Sequence, residues 1–161
     1  DNMGVVTFTG AAGVMAADEA ARQGLRIAEL SKPTLRLIDE KTPPWARLSN
    51  PLDIEPLFET LGAEEAFRFS LDCLIGDENV DSVLGVMMAL PIFEIDYEKA
   101  LLQGWRRHKQ KPIAVHFMGL QNLIDRWKLF LEENGIPTYP SIERCVKALA
   151  AMHRYRRMVE K

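Results

Sequence analysis

The stretch Val5-Val6-Thr7-Phe8-Thr9-Gly10-Ala11-Ala12-Gly13-Val14-Met15 decides how this chain is read. Its first four residues suit a buried strand, and residues 15–23, rich in alanine and charged side chains, suit a helix. Between them lies a turn of small residues. A strand, a tight turn and a helix start, in that order, gather several backbone N–H groups at one point. The first four N–H groups of a helix have no partner inside it, and the aligned peptide dipoles add roughly half a positive charge there. Such a place accepts a phosphate or carboxylate without a cationic side chain. Thr9, Gly10, Ala11, Ala12 and Gly13 are therefore the candidate phosphate-binding residues. The same smallness equally suits a helix that packs closely on its strand, and spacing alone leaves both readings open.

Outward from that turn, Gly24 caps the first helix, and residues 25–30 alternate with period two as a second strand. Ser31 or Lys32, ahead of Pro33, starts a short helix over 35–40, which Pro43-Pro44 stops. Residues 45–56 read as a loop carrying Asn50-Pro51-Leu52-Asp53. Ala66, Phe67, Ser70, Leu71 and Leu74 recur at helical spacing, and Gly76 closes that segment. Residues 83–90 form an apolar run of strand length, which predicts burial on both faces and a central parallel position.

Tyr97, Ala100, Leu101, Gly104, Trp105 and His108 share a helical face, and residues 112–118 make a fourth strand. Leu120, Leu123, Ile124, Trp127, Phe130 and Leu131 line the next helix, ended by Gly135. Residues 136–139 are a short fifth strand at an edge. Ser141 N-caps the last helix, whose inner face holds Cys145, Val146, Leu149 and either Met152 or His153. Five strands alternating with helices predict an α/β fold: one doubly wound parallel sheet in a single domain. The expected order is 2-1-3-4-5, which sets a switch point beside strand 1 and puts the small-residue turn at the carboxyl edge, where ligands bind in such sheets.

Composition limits the functional classes. With 161 residues, 47% of them hydrophobic, the chain suits one well-filled domain. A net charge of -3 and pI near 5.7 argue against a general nucleic-acid binder. No apolar run approaches the ~18 to 20 residues that span a bilayer, and the N-terminus has no secretory signal pattern. Cys73 and Cys145 stand alone, with neither metal-ligand nor disulfide spacing, so no metal site is expected and a reducing cytoplasm is the simplest home. The chain opens without an initiator Met and runs straight into a buried strand, which predicts that residues 1–161 are one domain of a longer, multidomain chain.

These residues carry a resemblance. The opening strand, turn and helix, the run Gly24-Leu25 to Leu30, Pro43-Pro44-Trp45-Ala46 and Ser49-Asn50-Pro51-Leu52-Asp53-Ile54 resemble the flavodoxin-like ligase domain of the NDP-forming acyl-CoA synthetases, relatives of succinyl-CoA synthetase. The resemblance continues through Asn79-Val80-Asp81-Ser82-Val83-Leu84, Lys111-Pro112-Ile113-Ala114-Val115 and Asn134-Gly135-Ile136-Pro137-Thr138-Tyr139. It closes on Ala148-Leu149-Ala150-Ala151-Met152 and so covers nearly the whole chain.

The resemblance implies an acid–thiol ligase that interconverts acyl-CoA, NDP and phosphate with acid, CoA and NTP through a phosphohistidine. Helix N-termini from two similar domains face that group, and residues 9–13 would supply one of them. The histidine belongs to the preceding domain, in a His-Thr-Gly loop; no His here is followed by Thr-Gly, so no catalytic residue and no turnover are expected of this fragment. The full-length enzyme implies CoA, ADP/ATP or GDP/GTP and Mg, with none bound by this domain alone. It also implies CoA-binding, His-bearing ligase and ATP-grasp domains as partners, in the same chain or complex, and a homo-oligomer is compatible with it. Nucleic acid and membrane are not implied. One departure is Ala11-Ala12, where many relatives have a Gly-Gly pair.

Asp53, near the carboxyl edge, is the candidate to orient the phosphohistidine ring, with Asn50 beside it; the plain alternative for Asp53 is a loop Asx turn. His116 reads as a hydrogen-bonded core residue, His108 as a packing residue, and His153, beside Arg154, Arg156 and Arg157, as a cation at a helix C-terminus. Trp45, Trp105 and Trp127 read as core or domain-contact anchors. Phe58, Leu61 and Phe69 fall off the apolar stripe of their helix and are expected to share one exposed patch. The competing functions are the silent synthetase-like body of a protein acetyltransferase and a free-standing flavodoxin-like binding module. A receiver would need paired acids after strand 1, and a flavin site hydroxyls in the turn; Gly10-Ala11-Ala12-Gly13 offers neither.

Overall fold

A computed structural model describes residues 1–93, 95–108 and 111–159. The elements in order are β1 (Asn2–Thr7), α1 (Gly10–Gln23), β2 (Arg26–Ile27), α2 (Lys32–Lys41), β3 (Leu52–Asp53), α3 (Leu57–Leu61), α4 (Ala63–Gly76) and β4 (Ser82–Ala89). A π-helical turn over Glu98–Leu102 leads into α5 (Gln103–Arg107), followed by β5 (Ile113–Gly119), α6 (Gln121–Glu133) and α7 (Ile142–Val159). All pairings are parallel and run β2-β1-β4-β5, with β3 joined to β1. That path matches the expected order for the first four strands.

Three strand readings change. The second strand shrinks to Arg26–Ile27, because Leu25 N–H bonds Ala20 O at the helix end and the chain leaves β1 after Ala28 N–H reaches Met3 O. Within the expected loop, Leu52–Asp53 forms β3 and pairs with Val6 and Thr7. The edge strand over 136–139 reduces to one bridge, Thr138 with Val115, since Pro137 and Pro140 cannot donate to a ladder.

The sheet divides the core. On one face Met3, Val5, Leu84, Val86 and Ala114 meet α1 and α7 through Ala12, Ala16, Ala20, Cys145, Val146 and Leu149. The α1 side of that contact is built of small residues, so its backbone lies close to the sheet. On the other face Phe67, Leu71, Leu74, Tyr97 and Leu101 pack on Val83, Met87 and Val115. Every residue of β4 is buried, as its unbroken apolar run predicts. Ser31 caps α2 by accepting from Thr34 N–H, Gly24 caps α1 at φ 76°, and Ser141 Oγ accepts from Arg144 N–H at the start of α7.

The patch expected of Phe58, Leu61 and Phe69 does not form. All three are half-buried and lie against the core; Phe58 stacks at a tilt on Phe93, 5.7 Å away, and on Phe67. Phe93 comes from a loop distant in sequence, so helical periodicity had no access to it.

Candidate anion-binding site

The turn after β1 is held by Thr7. Its hydroxyl accepts from Thr9 N–H and donates to Thr9 O, both at 3.2 Å. Thr9 is extended (φ −153°, ψ 131°), and its own side chain caps nothing. The first helical bond of α1 runs from Gly13 N–H to Thr9 O at 3.3 Å. Among the described residues, no acceptor meets the N–H groups of Gly10, Ala11 and Ala12. Of these, Gly10 and Ala11 are exposed at the carboxyl edge of the sheet, while Ala12 is buried. The described positive φ angles fall at Gly24, Gly62, Gly119 and Gly135. The turn therefore needs none, and Ala11-Ala12 adopts helix without the freedom a glycine pair would bring.

The second wall is the Asn50-Pro51-Leu52-Asp53 segment, whose Asn50–Pro51 peptide is cis. Asn50 is its anchor. Its Oδ1 accepts from Val5 N–H at 2.8 Å, and its Nδ2 donates to Met3 O at 2.9 Å and Ala28 O at 3.0 Å. The amide thus fills the gap on β1 between β2 and β3, using three of its four hydrogen-bonding capacities. Asn50 orients the loop and lies turned away from the site. Pro51 then lies over Gly13, so close that a Cβ on Gly13 would stand 3.1 Å from Pro51 Cβ. Asp53 follows in β3. Its Oδ1 accepts from Glu55 N–H at 3.3 Å, the expected Asx turn, while its Oδ2 stands 3.3 Å from where a Cβ on Gly10 would be.

Thr7, Gly10, Gly13, Val14, Ala17, Pro51 and Asp53 together line a hollow of about 200 Å3. Gly10, Gly13 and Asp53 are thus brought together as their sequence positions suggested, and Ala11 stands exposed beside them. Ala12 does not face the hollow; it is 2% exposed and packs into the α1–sheet core. Thr7, Val14, Ala17 and Pro51 were not foreseen as lining residues. Thr7 and Val14 flank the turn and were within reach of that reading, but the Pro51–Gly13 contact arises only from the fold. Donors from a helix start thus face a carboxylate acceptor. A bare dianion meets repulsion from Asp53 there, whereas an anionic group that also carries an N–H finds partners for both.

The other titratable side chains have ordinary roles. His116 is half-buried in β5, with Nδ1 3.0 Å from Tyr139 O; a carbonyl only accepts, so Nδ1 carries the proton. His108 departs from its expected packing role, since it ends α5 and is exposed. His153 is 2% exposed, with Nε2 2.9 Å from Ser82 Oγ and Nδ1 3.4 Å from Asp1 Oδ1, so it is a buried group and not a solvated cation at the helix end. That row has the order of a nucleophile–base–acid triad, but Ser82 is fully buried and no substrate reaches it. Burial pushes both the Cys73 and Cys145 thiols up to about 12, so neither is a nucleophile near neutrality. Trp45 is exposed and donates to Glu59, while Trp127 stacks edge-on against Tyr97 and Phe130. Among the described residues no cluster of three His, Cys, Asp or Glu side chains can hold a metal, and no helix is long and apolar enough to cross a membrane.

No family model matches the chain. The ADP-forming acetate–CoA ligase II of Archaeoglobus fulgidus is 34% identical over 159 residues, which cover 96% of this chain and 23% of that protein. Ligase I of the same organism is 33% identical over 162 residues, covering 99% and 22%. The alpha subunit of the Pyrococcus furiosus ADP-forming acetate–CoA ligase II is 27% identical over 157 residues, covering 94% and 33%. The chain thus spans about a fifth to a third of the length of the curated relatives it matches. A crystal structure of a protein from Pyrococcus horikoshii superposes with a TM-score of 0.79 at 26% identity, over 93% of this chain and 34% of that one. A dinucleotide-forming acetyl-coenzyme A synthetase 1 of Ca. Korarchaeum cryptofilum, in complex with phosphate and ADP, superposes with a TM-score of 0.80 at 22% identity, over 97% and 33%, and shows the shared fold. Over nearly its whole length the chain is similar to one domain-sized portion of the ADP-forming acetate–CoA ligases and shares the flavodoxin-like α/β fold of the solved synthetase structures, as a domain of the NDP-forming acyl-CoA synthetase type would.

Proposed function

We propose that residues 1–161 are one domain of a longer NDP-forming acyl-CoA synthetase and that the N-terminus of α1 binds the phosphoryl group of a phosphohistidine carried on the preceding domain. The observation that carries this reading is the presence of the unpartnered, exposed N–H groups of Gly10 and Ala11 next to the Asp53 carboxylate beside Gly10. A phosphohistidine has one ring nitrogen bonded to phosphorus, and its second ring nitrogen carries N–H when the ring is protonated, a state that a neighbouring carboxylate favours. The phosphoryl oxygens suit the helix donors, and the ring N–H suits Asp53. No proton is moved by this domain: it positions the charged group and offsets its charge. On this reading CoA, nucleotide and Mg act on the CoA-binding, His-bearing and ATP-grasp domains of the same chain or complex.

The test is an amide-resolved NMR titration of the 161-residue chain with a peptide bearing a stable phosphohistidine analogue. Shifts are expected at Gly10, Ala11, Ala12 and Gly13, with a smaller response at Asp53, and weaker ones with inorganic phosphate. Shifts confined to other parts of the molecule would overturn the assignment. The chain alone is expected to form no ATP from acyl-CoA, ADP and phosphate; measurable turnover would show that it carries its own nucleophile.

A further inference from the structure

A hollow of about 740 Å3 opens at the carboxyl end of β4, between α6 and the chain that follows β4. Its size lies within the range of roughly 300–1,000 Å3 usual for small-molecule sites, and it shares no lining residue with the hollow beside α1. Its walls are aromatic. Phe93 comes from the loop after β4, Tyr97 from the residue before the π-helical turn, and Trp127 and Phe130 from α6. Tyr97 and Phe130 both meet Trp127 edge-on, with ring centroids 5.3 and 5.7 Å away and planes at 84° and 86°. The three rings thus make a corner instead of a closed stack. Phe93, Trp127 and Phe130 are only half-buried, so each keeps surface open to the hollow.

Most polar groups around the hollow are already engaged. Met88 O accepts from the Tyr97 hydroxyl, Ala89 O from Leu120 N–H at 2.8 Å and Leu90 O from Phe93 N–H at 3.2 Å. The Asp96 carboxylate accepts from Glu98 N–H at 3.0 Å and stands 3.4 Å from Lys99 Nζ, while Asp96 N–H donates to Glu64. Two charged side chains remain. The Arg126 guanidinium lies 5.1 Å from the centre of the Trp127 ring and enters no ion pair among the described residues. Glu98 is exposed, and its carboxylate likewise has no cationic partner among the described residues. One free cation and one free anion, not paired with each other, thus stand at an aromatic pocket.

We propose that this hollow binds a free α-amino acid with an aromatic side chain. The side chain packs into the corner formed by Tyr97, Trp127 and Phe130. The carboxylate meets Arg126, and the ammonium meets Glu98. A zwitterion engages both free charges at once. An aromatic carboxylate would leave Glu98 facing a like charge, an aromatic amine would do the same to Arg126, and a residue inside a peptide would bring neither charge. No residue of this pocket belongs to the α1 site, so the assignment stands whether or not that site binds phosphohistidine.

The test is calorimetric titration of the 161-residue chain with L-phenylalanine and L-tryptophan, set against phenylacetate, phenethylamine and N-acetyl-phenylalanine amide. Saturable binding of the amino acids is expected, with each comparison compound at least about tenfold weaker for want of one or both charges. Glu98→Gln and Arg126→Gln, both at exposed positions, are expected to weaken phenylalanine binding at least about tenfold with an unchanged melting temperature. Lys128→Gln, on α6 but outside the hollow, leaves binding intact. No saturable binding below about 10 mM, or binding that survives either Glu98→Gln or Arg126→Gln, would overturn the proposal. So would equally tight binding of phenylacetate, of phenethylamine or of the capped amide, which would assign the hollow to an acid, to an amine or to a peptide segment.

Discussion

Pro51 rests on Gly13 so closely that a Cβ on the glycine would stand 3.1 Å from Pro51 Cβ. Neither partner can easily yield. Asn50 fixes Pro51 from one side and β3 from the other, while Gly13 belongs to the first turn of a helix packed on the sheet. Gly13→Ala gains about 1 kcal/mol of helix propensity but loses about 1–3 kcal/mol to overpacking. Net destabilisation is expected, read as a lower denaturant midpoint at constant m-value. Gly10→Ala meets only the end of the Asp53 side chain, at 3.3 Å, and is expected to leave stability nearly unchanged. A Gly13→Ala protein as stable as wild type would mean that the Pro51 segment moves freely.

Asn50 supports a sharper test because its amide serves as both acceptor and donor. Asn50→Ala leaves Val5 N–H without its partner and removes donors from Met3 O and Ala28 O. An unsatisfied buried group costs ~1–3 kcal/mol, so a loss of about 2–4 kcal/mol is expected. Asn50→Asp keeps an acceptor for Val5 but turns a carboxylate toward two carbonyl oxygens. That variant should regain stability on acidification, when a protonated carboxyl can donate again. Equal losses for Asn50→Asp at neutral and acid pH would count against the hydrogen-bond account.

Much of the fold was legible because its strongest signals are local. The apolar run of β4 could only be a doubly buried strand, and the turn at residues 9–13 announced the start of α1. What escaped the sequence has no local pattern. Two residues are too few for β3 to show a period. Asn50 completes the edge of β1 with a side chain, which leaves no trace in strand propensity. Phe58 and Phe69 looked surplus to their helix because their partners, Phe93 among them, arrive from elsewhere in the chain. At the site, Gly10, Gly13 and Asp53 were readable from the turn and the family resemblance, but the inward direction of Ala12 depends on how α1 is rotated against the sheet.

His153 gives the domain an acid-sensitive bond. Burial lowers its pKa below the ordinary histidine value of 6.5; Asp81 acts in the opposite sense and Arg156 adds to the lowering. Its ring also faces Ser82 and the Asp1 carboxylate, which itself pairs with Arg157. Because the folded pKa is depressed, the unfolded chain takes the proton first as pH falls. The contribution of His153 is therefore fully present above about 6.5, and it is lost as pH falls through the folded pKa. His153→Gln is expected to flatten the stability profile across that window. An unaltered profile in His153→Gln would place the acid sensitivity elsewhere.

The last prediction separates anion binding from mere packing at the opening turn, and the structure decides where to make it. Ala12 is unsuitable, since a glutamate there would bury an unpaired carboxylate in the core. Ala11 is exposed in the first turn of α1. A carboxylate at that place interacts favourably with the helix dipole by ~0.3–1 kcal/mol, so Ala11→Glu should hold or slightly raise the melting temperature. If the turn only packs, activity of the full-length synthetase also holds. If it receives a phosphohistidine carrying about two negative charges, the new carboxylate competes for the same donors and repels the phosphoryl group. Phosphohistidine should then accumulate poorly or fail to be consumed, and turnover should fall by at least about tenfold. Ala11→Gln, equal in size and uncharged, should retain most of the activity. The pair isolates charge from bulk: wild-type turnover in a folded Ala11→Glu enzyme, with phosphohistidine forming and decaying normally, would end the claim that the N-terminus of α1 holds the phosphoryl group.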